Sequence, residues 1–332
     1  MTTVLVAGGA GYVGSQTVRA LLGRGARVVV FDDLSSGRRE FVRGAELIVG
    51  DLMDREAVAA AFRGRKFEAV LHFASLIQVG ESYADPRKYY TRNLGTSLNL
   101  LGAMLDAGVM NFIFSSSAAV YGVPRAIPIP EDHPLEPYNP YGRTKAVVER
   151  VLADYDRAYG LRSISLRYFN AAGADPDGGL GEAHDPETHL IPNLIRVLLG
   201  RKESLDVFGT DFPTPDGTAV RDYIHVADLA TAHVLALEKL LAGHSSEAVN
   251  LGTSRGYSVR EVIAKAEALT GRRAALRERP RREGDVPVLL ASRTKAERLL
   301  GWTPRLSDLE TILRTAWDWH GRETFPEKYG DT

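Results

Sequence analysis

An apolar run, Val4-Leu5-Val6-Ala7, passes directly into GGAGYVG at residues 8–14, and this junction restricts the fold more than any other stretch of the chain. The run reads as a buried strand. Gly8, Gly11 and Gly14 read as the turn that joins it to a helix. One glycine permits the tight turn, one lets backbone approach a pyrophosphate, and one lets helix and strand pack closely. The helix N terminus then offers N–H groups and a partial positive charge to phosphates. Glycines also serve plain turns, so the assignment depends on the residues beyond the turn. A second β-branched run, 27–31, leads into Asp32, 21 positions beyond Gly11, where a ribose-binding carboxylate is expected. Strand, glycine turn, helix, strand and acid in this order read as a dinucleotide-binding unit. Asp32 and Asp33 would repel a ribose 2′-phosphate and so favour NAD over NADP, although Arg38 and Arg39 could pair with that phosphate.

The alternation continues. Residues 45–49, 69–73, 111–115 and 162–166 read as further buried strands, and 12–24, 55–62, 86–107 and 141–159 show helical spacing. Strands alternating with helices imply a doubly wound parallel α/β sheet, a Rossmann fold, that binds ligands beyond the carboxyl ends of its strands. Beyond about residue 170 the pattern changes. Loop-like stretches at 171–187 and 208–218 mix with helices at 226–241, 258–270 and 307–321 and short strands near 248–251 and 274–278. We therefore expect a Rossmann domain over 1–170, to which later strands and helices return, and a smaller mixed α/β lobe over 171–332, with a ligand cleft between them.

Forty-one Lys and Arg against 42 Asp and Glu leave a net charge of −1, so no overall field draws the chain to nucleic acid or an anionic membrane. Without cysteine there is no disulfide, thiolate metal site or cysteine nucleophile. No apolar run approaches the ~18 residues of a membrane span. The first residues lack the basic and apolar regions of a secretory signal. A soluble cytoplasmic protein is expected. His189 and His225 show no metal-ligand spacing, and no metal site is expected.

Tyr141 and Lys145 stand four apart at the start of a helical stretch and so share one face. A free phenol titrates near 10, and using it as a base near neutrality takes roughly 4 kcal/mol of help from positive charge. Lys145 and an oxidised nicotinamide are candidate sources. Ser115, Ser116 and Ser117 end a strand where their hydroxyls would face the mouth of the sheet.

Beyond the glycine turn the chain carries GDL (50–52), HFASLIQVGES (72–82), NFIFSSSAAVYG (111–122), YGRTK (141–145), LRYFNAAGA (166–174), DGTAVRDYIHV (216–226), NLG (250–252) and RREGD (281–285). With this order and spacing the chain resembles, over nearly its whole length, the extended short-chain dehydrogenase/reductases, and among them the UDP-glucose 4-epimerases. The resemblance implies reversible inversion at C4 of UDP-glucose and UDP-galactose through a transient 4-keto sugar, with NAD tightly held. It implies catalysis by Ser117, Tyr141 and Lys145. Besides that trio and the three glycines, it implies cofactor contacts from Tyr12, Val13, Asp32, Asp33, Leu34, Ser35, Ser36, Gly37, Asp51, Leu52, Phe73, Ala74, Ser75, Ile77, Asn93 and Phe169. It places the nucleotide sugar against Ser117, Tyr141, Asn170, His189, Leu190, Asp206, Val207, Phe208, Arg221, Arg282, Asp285 and Leu289. The two arginines suit a diphosphate independently of the likeness.

The resemblance also implies a homodimer formed by a helix pair from each subunit, and Leu98, Leu101 and Leu105 suit an apolar stripe for it, unless they face the sheet. Relatives that eliminate water or decarboxylate carry a carboxylate just after the strand-end hydroxyl, where this chain has Ala118-Ala119. A 4-epimerase of UDP-GlcNAc or a UDP-pentose, and a catalytically silent NAD-sensing protein, stay open. Ile77, Ala119 and Ala7 stand where relatives commonly carry lysine, threonine and threonine. Leu289 stands where a tyrosine in some relatives excludes an N-acetyl group; alternatively it is an ordinary strand leucine.

Overall fold

The computed structural model describes residues 2–282 and 284–322. Its main sheet contains β1 (Thr3–Ala7), β2 (Arg27–Asp32), β3 (Glu46–Val49), β4 (Ala69–His72), β5 (Asn111–Ser117), β6 (Arg162–Tyr168) and the later strand Glu247–Leu251. All seven are parallel, in the order Glu247–Leu251, β6, β5, β4, β1, β2, β3. The chain winds outward from β1 through β2 to β3, then crosses back to β4 and winds the other way. The order therefore reverses between β1 and β4, which opens a crevice at their carboxyl ends.

Both faces of the sheet are apolar, which is why its strands read as unbroken hydrophobic runs. Val4, Val6, Val28, Val30 and Ile113 point to one side, under helix α1 (Tyr12–Gly23) and the helix Val226–Leu241. Leu5, Ala7, Val29, Phe31, Phe112 and Phe114 point to the other, under Arg55–Phe62, Gly95–Asp106 and Pro140–Tyr159. The second core lies among the helices Leu190–Leu198, Val259–Thr270 and Leu309–His320. Beside it Leu205–Phe208 pairs with Leu276–Arg279. Val220–Arg221 lies between Tyr257–Ser258 and Val288–Leu289. Asn170–Ala172 pairs with Tyr223–His225, so the loop expected over 171–187 begins as a strand.

The helix expected over 86–107 is interrupted. Pro86–Tyr89 is followed by a π-helical turn at Tyr90–Leu94 and then by Gly95–Asp106. The wider turn turns Asn93 inward, where it bonds Leu76 and Thr144. The expected leucine stripe divides: Leu101 is wholly buried, Leu105 lies at the edge of the same core, and Leu98 is 45% exposed. Among the described residues no helix is long and apolar enough to cross a membrane.

Candidate active site

The crevice between β1 and β4 is shaped by backbone approach. Gly8 has a left-handed backbone (φ +80°), and a Cβ there would stand 2.4 Å from the Ala74 amide nitrogen. A Cβ at Gly14 would stand 2.1 Å from the Gly8 carbonyl oxygen. Gly11, at the N-cap of α1, faces open space apart from that same oxygen at 3.5 Å. Among the described residues no side chain caps this helix, so its leading N–H groups face the crevice. Gly8 thus serves the turn and Gly14 the close packing, while Gly11 leaves open space beside the helix start.

Asp32 ends β2 with a buried carboxylate that accepts from the Ala10 and Leu34 amides, both at 2.9 Å. The second of these bonds meets Leu34 in the left-handed region (φ 59°), an uncommon conformation for leucine. A Cβ at Gly37 would press within 2.8 Å of the same carboxylate. Asp33 accepts from the amide and hydroxyl of Ser35, and Arg92 bridges Asp33 and Asp51. Ser36 is exposed nearby. Phe73 and Ala74 donate their amides to Ala7 across the crevice floor. The Phe73 ring packs on His233 at 4.7 Å. Asn93 fixes Leu76, between Ser75 and the exposed Ile77. Leu52 turns its side chain into the core, so only its backbone can face a ligand. Tyr12 donates its hydroxyl to the Gly173 carbonyl at 2.6 Å and so links the start of α1, before Val13, to the second lobe. The glycine cradle, the uncapped helix and the anchored carboxylate fit a dinucleotide.

Tyr141 and Lys145 lie in the first turns of Pro140–Tyr159, against the end of β5. Asn139 caps this helix, accepting from the Gly142 amide at 2.6 Å. A Cβ at Gly142 would stand 2.3 Å from the Ala119 carbonyl oxygen, so glycine lets the helix start press onto the turn that follows Ser117. Both side chains are buried. Burial raises the Tyr141 phenol, and a hydrogen bond with Ser117 opposes the rise. Burial pushes the Lys145 ammonium down to about 7, with Glu149 opposing. Lys145 donates to the Ser115 carbonyl at 2.8 Å, with Nζ 5.8 Å from the centre of the Tyr141 ring. Ser117 Oγ accepts from the Ala119 amide at 3.2 Å.

A support behind this trio is absent from the sequence reading. Glu149, four residues past Lys145, accepts from Ser116 and forms a buried ion pair with Arg167 of β6. The i, i+4 spacing from Lys145 was the available signal, but its partner lies in another strand.

In the second lobe Arg221 and Arg282 converge on Asp285, at 3.6 and 3.3 Å, and Arg282 lies over the Phe208 ring. Asp206 pairs with Arg279, while Val207 turns into the core. Asn170 bonds the Asp222 carbonyl at 2.8 Å. Leu289, opposite Arg221 in register, packs against the buried cluster of Val120, Tyr121, Ile129 and Ala146, as does Phe169. A cleft of about 520 Å³ between the lobes is lined by Tyr83, Tyr138, Pro140, Arg143, Gly284 and Asp285. His189 precedes Leu190 at the N-cap of its helix; burial opposes its protonation, but Glu182 and Glu187 push it up to about 10. His225 is structural: it accepts from the Ala227 amide and meets Thr315.

A parallel doubly wound sheet with a glycine cradle and a buried Tyr-x-x-x-Lys pair defines a dinucleotide-dependent enzyme. The model of the NAD dependent epimerase/dehydratase family matches residues 4–252, and the chain belongs to that family. It is 51% identical to a UDP-glucose 4-epimerase of Rhizobium leguminosarum bv. trifolii, covering 96% of this chain and 98% of the relative. It is 46% identical to the Lacticaseibacillus casei UDP-glucose 4-epimerase over 99% of both chains. The UDP-glucose 4-epimerase of Brucella ovis in complex with NAD superposes with a TM-score of 0.94 at 50% identity, over 97% of this chain and 99% of that one.

The contact at Gly142 generates a prediction. Gly142→Ala should fold but lower turnover about 10²-fold, the scale of a 1 Å displacement of reacting groups. Wild-type turnover in the purified variant would show that close approach at this point does not position Tyr141.

Proposed function

We propose that this chain interconverts UDP-glucose and UDP-galactose by inverting C4, with NAD retained through the cycle. The buried Tyr141–Lys145 pair beside the glycine crevice, with Ala118-Ala119 rather than a carboxylate after the strand-end serine, carries this reading over elimination or decarboxylation. Gly8, Gly11, Gly14 and Asp32 would hold the dinucleotide. When bound, NAD supplies a reversible hydride acceptor for C4 and, oxidised, a positive charge.

The protein's own part is proton transfer and positioning. Tyr141 takes the proton of the 4-hydroxyl as a phenolate and returns it after the sugar has turned. Ser117 hydrogen-bonds the same oxygen. Burial disfavours both charged forms singly, raising the phenol and lowering the ammonium. Lys145 would hold the nicotinamide ribose, and positive charge from its ammonium and from the oxidised dinucleotide favours the phenolate. Arg221 and Arg282 would grip the diphosphate about which the 4-keto sugar turns, because guanidinium forks match its oxygens. Purified protein given UDP-galactose without added NAD should form UDP-glucose, and Tyr141→Phe should keep its bound dinucleotide while turnover falls about 10²–10⁴-fold. Near-normal turnover in that folded variant would overturn the assignment.

Leu289 sets breadth in this reading, supported by its register opposite Arg221 and its packing on the same buried cluster as Phe169. Leucine restricts an N-acetyl group less than a tyrosine would, so UDP-GlcNAc should react weakly but measurably, with size discrimination of roughly 10–200-fold. Leu289→Tyr should widen the ratio of kcat/KM for unacetylated over acetylated sugar. An unchanged ratio would remove Leu289 from the pocket.

A homodimer belongs to the same reading. Gly95–Asp106 and Pro140–Tyr159 cover one face of the sheet and leave Leu98 and Val147 exposed. Light scattering at micromolar concentration should give twice the chain mass; a monomer mass throughout would reject the dimer.

A further inference from the structure

We propose that Glu182, His184, Glu187 and His189 form a site for one divalent d-block cation of the zinc class, separate from the reacting groups. The two Glu-x-His arms flank Asp185-Pro186, and folding turns all four side chains toward one point. One potential ligand atom from each lies within 4.8 Å of all the others. His184 Nδ1 stands 3.0 Å from Glu182 Oε1 and 3.9 Å from Glu187 Oε2. His189 Nδ1 stands 2.8 Å from Glu182 Oε1 and 2.9 Å from Glu187 Oε1. A tetrahedral cation with bonds of ~2.0–2.1 Å separates its ligand atoms by about 3.3 Å; the His–Glu spacings bracket that value, and the remaining pairs would close on binding from within 4.8 Å.

A separate observation favours a cation over a closed set of ion pairs. The Glu187 side chain is completely buried, yet its Oε2 has no hydrogen-bond partner among the described residues. That oxygen faces the cluster, at 3.9 Å from His184. A buried carboxylate oxygen without a partner is costly, and a cation among the four groups would supply one. Two carboxylates also match the charge of a divalent ion, which on binding would take the place of the proton they stabilise on His189. Two nitrogen donors select zinc-class ions over magnesium or calcium.

The surroundings are those of a supported site. Trp319 donates its indole N–H to the Glu182 carbonyl at 2.8 Å, and Asn193 donates to the carbonyls of Glu187 and His189. His189 is 43% exposed on its side chain, which leaves a route of entry. The His184 ring meets the Tyr12 ring edge-on at 6.1 Å, and His189 begins the helix Leu190–Leu198. A bound cation would therefore clamp the segment that runs between the glycine turn and the second-lobe helix.

The test uses the full chain, purified without a histidine tag, stripped with chelator and titrated with Zn2+ alone by calorimetry and with Co2+ alone by visible absorption. Binding of one Zn2+ per chain and intense four-coordinate Co2+ bands are expected. His184→Asn and Glu187→Gln should each weaken Zn2+ binding at least about tenfold and abolish those bands. Should burial keep Glu187→Gln from folding, the part-exposed His184→Asn decides alone. Failure of the wild-type protein to bind Zn2+, a six-coordinate Co2+ spectrum, or undiminished binding by His184→Asn would each overturn the site. None of these readouts depends on the proposed reaction.

Discussion

The distance at which backbone passes backbone around Gly8 governs the first lobe. A methyl group at position 14 would meet the Gly8 oxygen at 2.1 Å, and one at position 8 would meet the Ala74 amide at 2.4 Å. Without those approaches α1 could not start directly beneath β1, and the loop after β4 could not close the other wall of the crevice. Asp32 depends on the same turn, because one of its carboxylate bonds comes from the Ala10 amide within the glycine motif. The second lobe is tied to it as well, through Tyr12 and Gly173. A short turn that tolerates no side chain at positions 8 and 14 thus sets the shape of the crevice in which a dinucleotide would lie.

The same device recurs at the helix Pro140–Tyr159. Gly142 passes the Ala119 oxygen so closely that Tyr141 is held against the end of β5. Behind it, Glu149 and Arg167 form a buried pair that also engages Ser116. Removing one partner of such a pair would leave an uncompensated charge, so the pair works as a brace. In front of it, Tyr141 and Lys145 are both displaced by burial toward their neutral forms. In the proposed reaction positive charge from Lys145 and an oxidised dinucleotide offsets the rise of the phenol and favours its phenolate.

Features governed by short-range rules were legible from the chain. The glycine turn, Asp32 and the Tyr141–Lys145 spacing each follow from a local backbone or helical constraint, and the parallel sheet follows from strands apolar on both faces. Features created by packing were not. The π-helical turn at Tyr90–Leu94 leaves hydrophobic spacing almost continuous, yet it aims Asn93 inward. Leu98 and Leu101 look alike as residues, but the sheet buries one and leaves the other exposed. Glu182, His184, Glu187 and His189 lie in a stretch that reads as loop, and only its folded path brings their polar atoms together. The Arg167 partner of Glu149 lies 18 residues on in another strand, beyond the reach of any helical spacing rule.

The central claim is that C4 is inverted by oxidation and reduction within one closed site. Its most direct measurement follows UDP-galactose deuterated at C4 by proton NMR, in ordinary water and without added dinucleotide. The account predicts UDP-glucose that keeps its deuterium at C4, because the hydride equivalent is never exposed to solvent. Replacement of the label by solvent hydrogen, or a product formed only when dinucleotide is supplied in stoichiometric amount, would contradict it.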